Sequence, residues 1–315
     1  MLDIVGKRYW YFLLSLIIII PGLVAMGITW SQTGLPFRLA IDFTGGTLLE
    51  LKFPKAQTFK TDEVVRVFGE FGFSANEVHV QPAGNDSLII RTRELKVDDK
   101  VKMLDALRKS MGDFVEQRAE SVGPAVGLEV TQRAAIAVAL ASVAILIYIT
   151  LVFRHVAQPF RYGVCAIIAM LHDVLVVLGT ASLFGLLFGW EVDALYLTAL
   201  LTVIGFSVHD TIVVFDRIRE NSARLRGVAF ESVVNHSILQ TLDRSINTTL
   251  TVLFTLAALI LFGGITIRQF VLTLFIGIVS GMYSSIFNAA PLLVVWENGE
   301  IGKFFRRLRA RPATT

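Results

Sequence analysis

ALYLTALLTVIGFSVHDTIVVF, residues 194–215, is an apolar run of 22 residues whose one formally charged side chain is Asp210. At 1.5 Å per residue a helix of this length reaches about 33 Å, enough to cross a hydrocarbon core about 30 Å thick. Backbone polar groups inside lipid must be paired within the segment, so the run is a helix. A charge at that depth costs roughly 2.5–3.5 kcal/mol on insertion scales, which points to a partner or a water-filled path for Asp210. The next apolar run, 245–262, has Arg244 at its mouth. Opposite charges on consecutive spans make ion-coupled transport the first hypothesis.

Working outward, apolar residues make up 54% of the chain and the mean hydropathy is +0.64, which excludes an ordinary soluble domain. Further runs of spanning length occupy 10–30, 134–153, 162–184 and 270–296, giving six transmembrane helices. The first run follows Lys7 and Arg8 and is flanked by Trp10 and Trp30. It is too long for a signal-peptide core and reads as a retained span. Arg154 and Arg161 bracket the turn between spans two and three. Arg217, Arg219, Arg224 and Arg226 follow span four, and Lys303, Arg306, Arg307, Arg309 and Arg311 follow span six. All these clusters fall on one side, which the positive-inside rule makes cytoplasmic, with both termini. The single cysteine, Cys165, excludes an intrachain disulfide.

Between spans one and two lies a polar stretch with a βαββαβ pattern. Strands are expected at 41–53, 77–81, 87–93 and 114–121, and helices at 61–71 and 98–111. The turn signal Gly84-Asn85-Asp86 joins the middle strands. The order is that of a ferredoxin-like α+β domain. The expected organisation is a cytoplasmic N-terminus and first span (1–32), an extracytoplasmic ferredoxin-like domain (33–122), a linker (123–133), a five-helix bundle (134–300) and a basic cytoplasmic tail (301–315). The fold class is therefore an α-helical polytopic membrane protein in a 1+5 arrangement. Gly123-Pro124 reads as a hinge or a rigid turn. In the loop 217–243, apolar residues at helical spacing fit an amphipathic helix on the membrane surface or an ordinary connecting helix.

Helical spacing places Ser207, Asp210 and Thr211 on one face of span four, and Arg244, Asn247, Thr248 and Thr251 on one face of span five. Two such stripes suggest a facing polar seam. His172 and Asp173, about ten residues into span three, suggest a second proton relay or a helix–helix hydrogen bond. Gly277 and Gly281, with Ser280 and Ser284 nearby, have the GxxxG spacing of close helix packing. The basic tail is expected to meet anionic lipid, with no specific nucleic acid.

The stretch GFSVHDTIVVFDRIREN, 205–221, resembles the fourth-span signature of the SecF family of bacterial protein-export membrane proteins. IDFTGGTLLEL (41–51), VGPAVGLEV (122–130), LHDV (171–174) and LDRSINTTLTVLF (242–254) agree with it. The 1+5 layout is also that of a half-unit of the resistance-nodulation-division superfamily. The resemblance implies a subunit that pairs with SecD. The two assist the SecYEG channel and the SecA motor, and use the proton-motive force to draw an unfolded preprotein outward across the cytoplasmic membrane. It places the proton-carrying acid on Asp210, its charge partner on Arg244 and a nearby polar position on Thr248. His209 stands where the family commonly has Asn, and Phe206 where it commonly has Tyr. Protons are the expected coupling ion, with sodium the alternative; no cofactor or metal is expected. No GxxxxGK[ST] loop is present, so the chain is not expected to hydrolyse ATP, or to be an enzyme at all. The competing readings are an intramembrane aspartyl dyad of Asp173 and Asp210, a small-molecule exporter half-unit, and a structural assembly subunit.

Overall fold

The computed structural model of the chain describes residues 2–55, 59–83, 86–154 and 158–300. The Gly84-Asn85 turn and the basic tail 301–315 lie outside the described residues. The chain divides into two compact units. One comprises Leu39–Ala137 and Glu191–Ala194, and the other Met1–Arg38, Val138–Trp190 and Leu195–Thr315.

In chain order the elements begin with α1 (Arg8–Thr33). They continue through α2 (Ile41–Thr44), β1 (Gly46–Lys52), α3 (Thr61–Glu70), β2 (His79–Ala83), β3 (Ser87–Thr92), α4 (Val97–Met111) and β4 (Val115–Val122). The four strands form one antiparallel sheet of order β2-β3-β1-β4, with Leu49 opposite both Ile90 and Ala119. Leu49 and Leu51 of β1 and Leu88 and Ile90 of β3 are two apart, so they share a face. That face packs on Val64 and Phe68 of α3 and on Met103 and Leu107 of α4, and all eight side chains are fully buried. Each contributes about 1.5–3 kcal/mol over an exposed position, and together they build the ferredoxin-like core.

Three expectations are corrected here. Residues 41–53 are not one strand: 41–44 form a helical turn, and after Gly45 (φ 72°) the strand begins at Gly46 (φ 126°). A Cβ at Gly46 would lie 2.5 Å from the Thr92 carbonyl oxygen, so this backbone path needs glycine. The strand expected at 77–81 starts at His79, because Glu77 closes a 3₁₀ turn against Ser74. The Ser74 N–H, then its hydroxyl, hold the Glu77 carboxyl below the usual carboxylate range. The linker 123–133 is helical: α5 (Pro124–Phe153) starts directly at Pro124, whose missing N–H costs nothing at a helix start.

The second unit contains α1, the 138–153 part of α5, α6 (Pro159–Phe188), α7 (Ala194–Arg224), α8 (Phe230–Phe262), α9 (Ile265–Ser284) and α10 (Ala290–Glu297). Among the described residues six helices are long and apolar enough to cross a membrane, with α9 and α10 forming one of them. Backbones of α1 and α6 cross at Gly22 and Gly179, where a Cβ on Gly22 would lie 2.7 Å from Gly179 Cα. Residues 230–243 are not a separate surface helix but the first turns of α8. Val234 and Ile238 are buried with Val5 and Ile218 in the protein core, and Val233 is buried as well, so the protein itself covers this part of the apolar face. Between α9 and α10 the chain makes a π-helical turn, Ser285–Ala289. Pro291 lacks the N–H that would bond the carbonyl four residues earlier, and the wider turn accommodates this.

Candidate functional site

Asp173 of α6 is fully buried and wrapped by three helices. Its Oδ2 accepts hydrogen bonds from Ser207 Oγ of α7 at 2.6 Å and Ser284 Oγ of α9 at 2.6 Å. Its Oδ1 accepts from Ser280 Oγ of α9 at 2.7 Å and meets His172 Nδ1 at 2.9 Å. Three serine hydroxyls thus donate to the Asp173 carboxyl, and the His172 ring makes a fourth polar contact with it, a closed polar cage around one side chain. His172 Nε2 is buried and has no hydrogen-bond partner among the described residues. His172 is also the only ion-pair partner of Asp173 among them.

The cage exists because the helices approach closely. A Cβ on Gly277 would fall 2.2 Å from Val203 Cγ2, and one on Gly281 3.4 Å from Ser207 Cα. The same approach brings Ser285 Oγ of the π turn within 2.8 Å of Thr211 Oγ1.

Asp210 lies one helical turn beyond Ser207. Its side chain is 18% exposed, and its partner among the described residues is His209 Nδ1 at 3.5 Å, the outer limit of a hydrogen bond. His209 itself is 71% exposed. The expected stripe on α7 therefore splits: Ser207 and Thr211 turn inward, while Asp210 stands at the edge. Arg244 is exposed and makes no ion pair among the described residues, so it does not meet Asp210. Thr248 Oγ1 donates to the Arg244 carbonyl at 2.8 Å, and Thr251 Oγ1 to that of Thr248 at 2.7 Å. The facing seam is corrected accordingly. The buried stripe of α8 is Thr241, Ser245 and Thr249, and the stripe carrying Arg244, Asn247, Thr248 and Thr251 faces away from the rest of the chain. Asp173 and Asp210 share no hydrogen bond among the described residues, so the aspartyl dyad is not formed.

Sequence spacing singled out Asp173 but not its ligands. Ser280 and Ser284 are four apart beside the GxxxG pair, so a polar pair on the small-residue face was the available signal. Gly123 and Pro124 sit at the start of α5, Gly123 near the Glu94 carboxylate at 3.6 Å from an added Cβ.

Comparisons with known proteins agree with this architecture. Residues 102–299 match the model "Protein export membrane protein SecD/SecF, C-terminal", and residues 30–55 match the "SecD/SecF GG Motif". The chain is 52% identical to the protein translocase subunit SecF of Anaerolinea thermophila, over the full length of both. It is 51% identical to that of Thermobaculum terrenum, again over both full lengths. It also resembles the crystal structure of SecDF, a translocon-associated membrane protein from Thermus thermophilus, with a TM-score of 0.80 and 33% identity. That match covers 94% of this chain and 39% of the SecDF chain. The chain belongs to the SecD/SecF family of protein-export membrane proteins.

Proposed function

We propose that this chain is the SecF-type subunit of a Sec protein translocase, working with SecD to convert the proton-motive force into late-stage export of unfolded preprotein. The observation that carries the reading is the uncovered polar stripe of α8. Arg244 and three further polar side chains stand uncovered by their own chain at membrane depth, beside a half-buried acid. An intramembrane cation of this kind calls for a partner or a water-filled path, and a second polytopic subunit on this face would supply one. The Thermus SecDF chain, of which this one matches about two-fifths, supports SecD as that subunit.

In this reading Asp210 carries the proton, Arg244 is its charge partner across the cycle, and Thr248 and His209 line the pathway. His172 and Asp173 form a secondary relay. The Arg partner favours protons over sodium as the coupling ion. One charge crossing the full membrane is worth about 2.3 kcal/mol per 100 mV, enough to bias a two-state movement of the soluble unit. The complex then acts beside SecYEG, with SecA contributing from the cytoplasm. The chain lies in the bacterial inner membrane with both termini inside and the soluble unit outside, as the distribution of Lys and Arg indicates.

The test is gradient-dependent export into membrane vesicles, comparing wild type with Asp210→Asn at equal protein level. Export that loses its gradient dependence while the complex assembles supports the coupling role. Unchanged export makes the acid structural and the subunit a scaffold.

A further inference from the structure

A cavity of about 430 Å³ opens in the membrane unit where α6 begins, α7 ends, α8 begins and α10 ends. Its walls include Arg161, Tyr162, Arg219, Arg226, Phe230 and Glu297. Two of the guanidinium groups are already engaged: Arg161 pairs with Glu297, and Arg219 with Asp216 at 2.7 Å. Arg226 is exposed and has no ion pair among the described residues, so its charge is the one left over. Tyr162 is 6% exposed, yet its hydroxyl has no hydrogen-bond partner among the described residues. The cavity thus offers a cation and a hydroxyl donor with no acceptor for them among the described residues. The starts of α6 (after Gln158) and of α8 (after Ala229) add positive dipole ends to the same space.

The depth of the cavity follows from its neighbours. Phe160 is 72% exposed and stacks edge-on against Trp296 with ring centres 6.1 Å apart. These two aromatics flank Arg161 and Glu297 in sequence; with Phe160 exposed and Trp296 half-buried at the ends of two spans, they mark the headgroup level of a bilayer. Phe230 and Leu293 give the cavity an apolar wall below the arginines.

We propose that this cavity binds the phosphate headgroup of an anionic phospholipid. The phosphodiester sits against Arg226 and the Tyr162 hydroxyl, and the first part of an acyl chain lies along Phe230 and Leu293. A free phosphate would use the charges but not the apolar wall, and a zwitterionic lipid would use the wall but bring no net charge. The inference is independent of the coupling role of Asp210, which lies in the middle part of α7.

The experiment is native mass spectrometry of the full chain, released from nanodiscs of equal parts phosphatidylglycerol and phosphatidylcholine. The expected result is one retained phosphatidylglycerol in preference to phosphatidylcholine. Arg226→Gln lowers that retention about fivefold, the worth of one basic side chain at an anionic surface, while Arg226→Lys keeps most of it. Tyr162→Phe, which leaves the fold and the charge in place, also lowers it. Equal retention of the two lipids, no effect of Arg226→Gln, or displacement of phosphatidylglycerol by millimolar inorganic phosphate overturns the proposal. The last outcome would mark a free-anion site.

Discussion

Gly277→Ala and Gly281→Ala look alike in the sequence, as the two ends of one GxxxG pair, but the structure separates them. The Cβ added at Gly277 would meet Val203 Cγ2 at 2.2 Å and Cγ1 at 2.8 Å. Val203 is fully buried and β-branched on a helix, so it has one strongly preferred rotamer and cannot swing aside. Either α9 moves out or Val203 adopts a strained rotamer, and overpacking of this kind costs about 1–3 kcal/mol. The Cβ at Gly281 meets its nearest neighbour at 3.4 Å, ordinary contact, so that change is worth a few tenths at most. The compensating change is Val203→Ala, which alone leaves a gap of two methyl groups and costs about 1–2.5 kcal/mol. In the double variant the methyl added at Gly277 occupies part of that gap. The two costs should therefore fall short of their sum by about 1–2 kcal/mol, a coupling a double-mutant cycle can read. The assay is unfolding in mixed micelles titrated with sodium dodecyl sulfate, followed by far-ultraviolet circular dichroism. Equal effects of the two glycine substitutions, or strict additivity of Gly277→Ala with Val203→Ala, would refute the packing of α9 on α7 and the placement of Ser280 and Ser284 that depends on it.

Asp173→Ala leaves three serine hydroxyls and the His172 ring nitrogen without their partner at a buried site, so it should destabilise the membrane unit by about 3–6 kcal/mol, more than Asp173→Asn, whose amide keeps an oxygen acceptor; the same detergent titration reads both. Ser280→Ala removes one charge-assisted bond at 2.7 Å and should cost about 1.5–3 kcal/mol. Outside the spans, burial of Glu300 opposes ionisation, but hydrogen bonds from Tyr9, Arg8 and Asn298 outweigh it and hold the carboxyl below its ordinary 4.5. Its contribution to stability is thus present above 4.5 and is lost as the pH falls toward and through the lower folded value. In thermal unfolding across that acid range, Glu300→Gln should be less stable than wild type at neutral pH and show a shallower acid loss.

Legibility in the sequence followed the kind of information each feature needs. The six spans were readable because a continuous apolar run of spanning length has one stable solution in lipid. The order of the soluble unit was readable because two periodicities alternate along it. What failed was local backbone geometry and tertiary context. Residues 41–44 alternate like a strand, yet the close approach of Gly46 to the Thr92 carbonyl forces a turn first. Residues 230–243 have an apolar face, but periodicity cannot say whether lipid or protein covers it; here Val5 and Ile218 do. The polar stripe of α8 was found, but helical spacing gives no rotation relative to neighbours, so an outward stripe read as a seam. Asp173 was visible as a buried acid, while its cage combines serines from α7 and α9 that only the fold brings together.

The two intramembrane acids of α6 and α7 are treated in opposite ways by the same chain. Asp173 is enclosed by three serine hydroxyls and His172 and excluded from solvent; Asp210, one turn from Ser207, is left with a single distant histidine among the described residues. The acids are nevertheless not mechanically independent. Ser207 ties α7 to Asp173 at 2.6 Å, and Thr211, directly after Asp210, ties α7 to Ser285 at 2.8 Å. A movement of α7 that changes the surroundings of Asp210 must break these two bonds or carry α6 and the π turn along. Ser285 opens the π turn, where backbone hydrogen bonding departs from the α pattern, and beyond it Ala290, Leu293 and Val294 of α10 are buried in the core. The buried acid also holds the end of α9 through Ser280 and Ser284. Through Ser207 and Thr211, α7 therefore links the surroundings of the two acids.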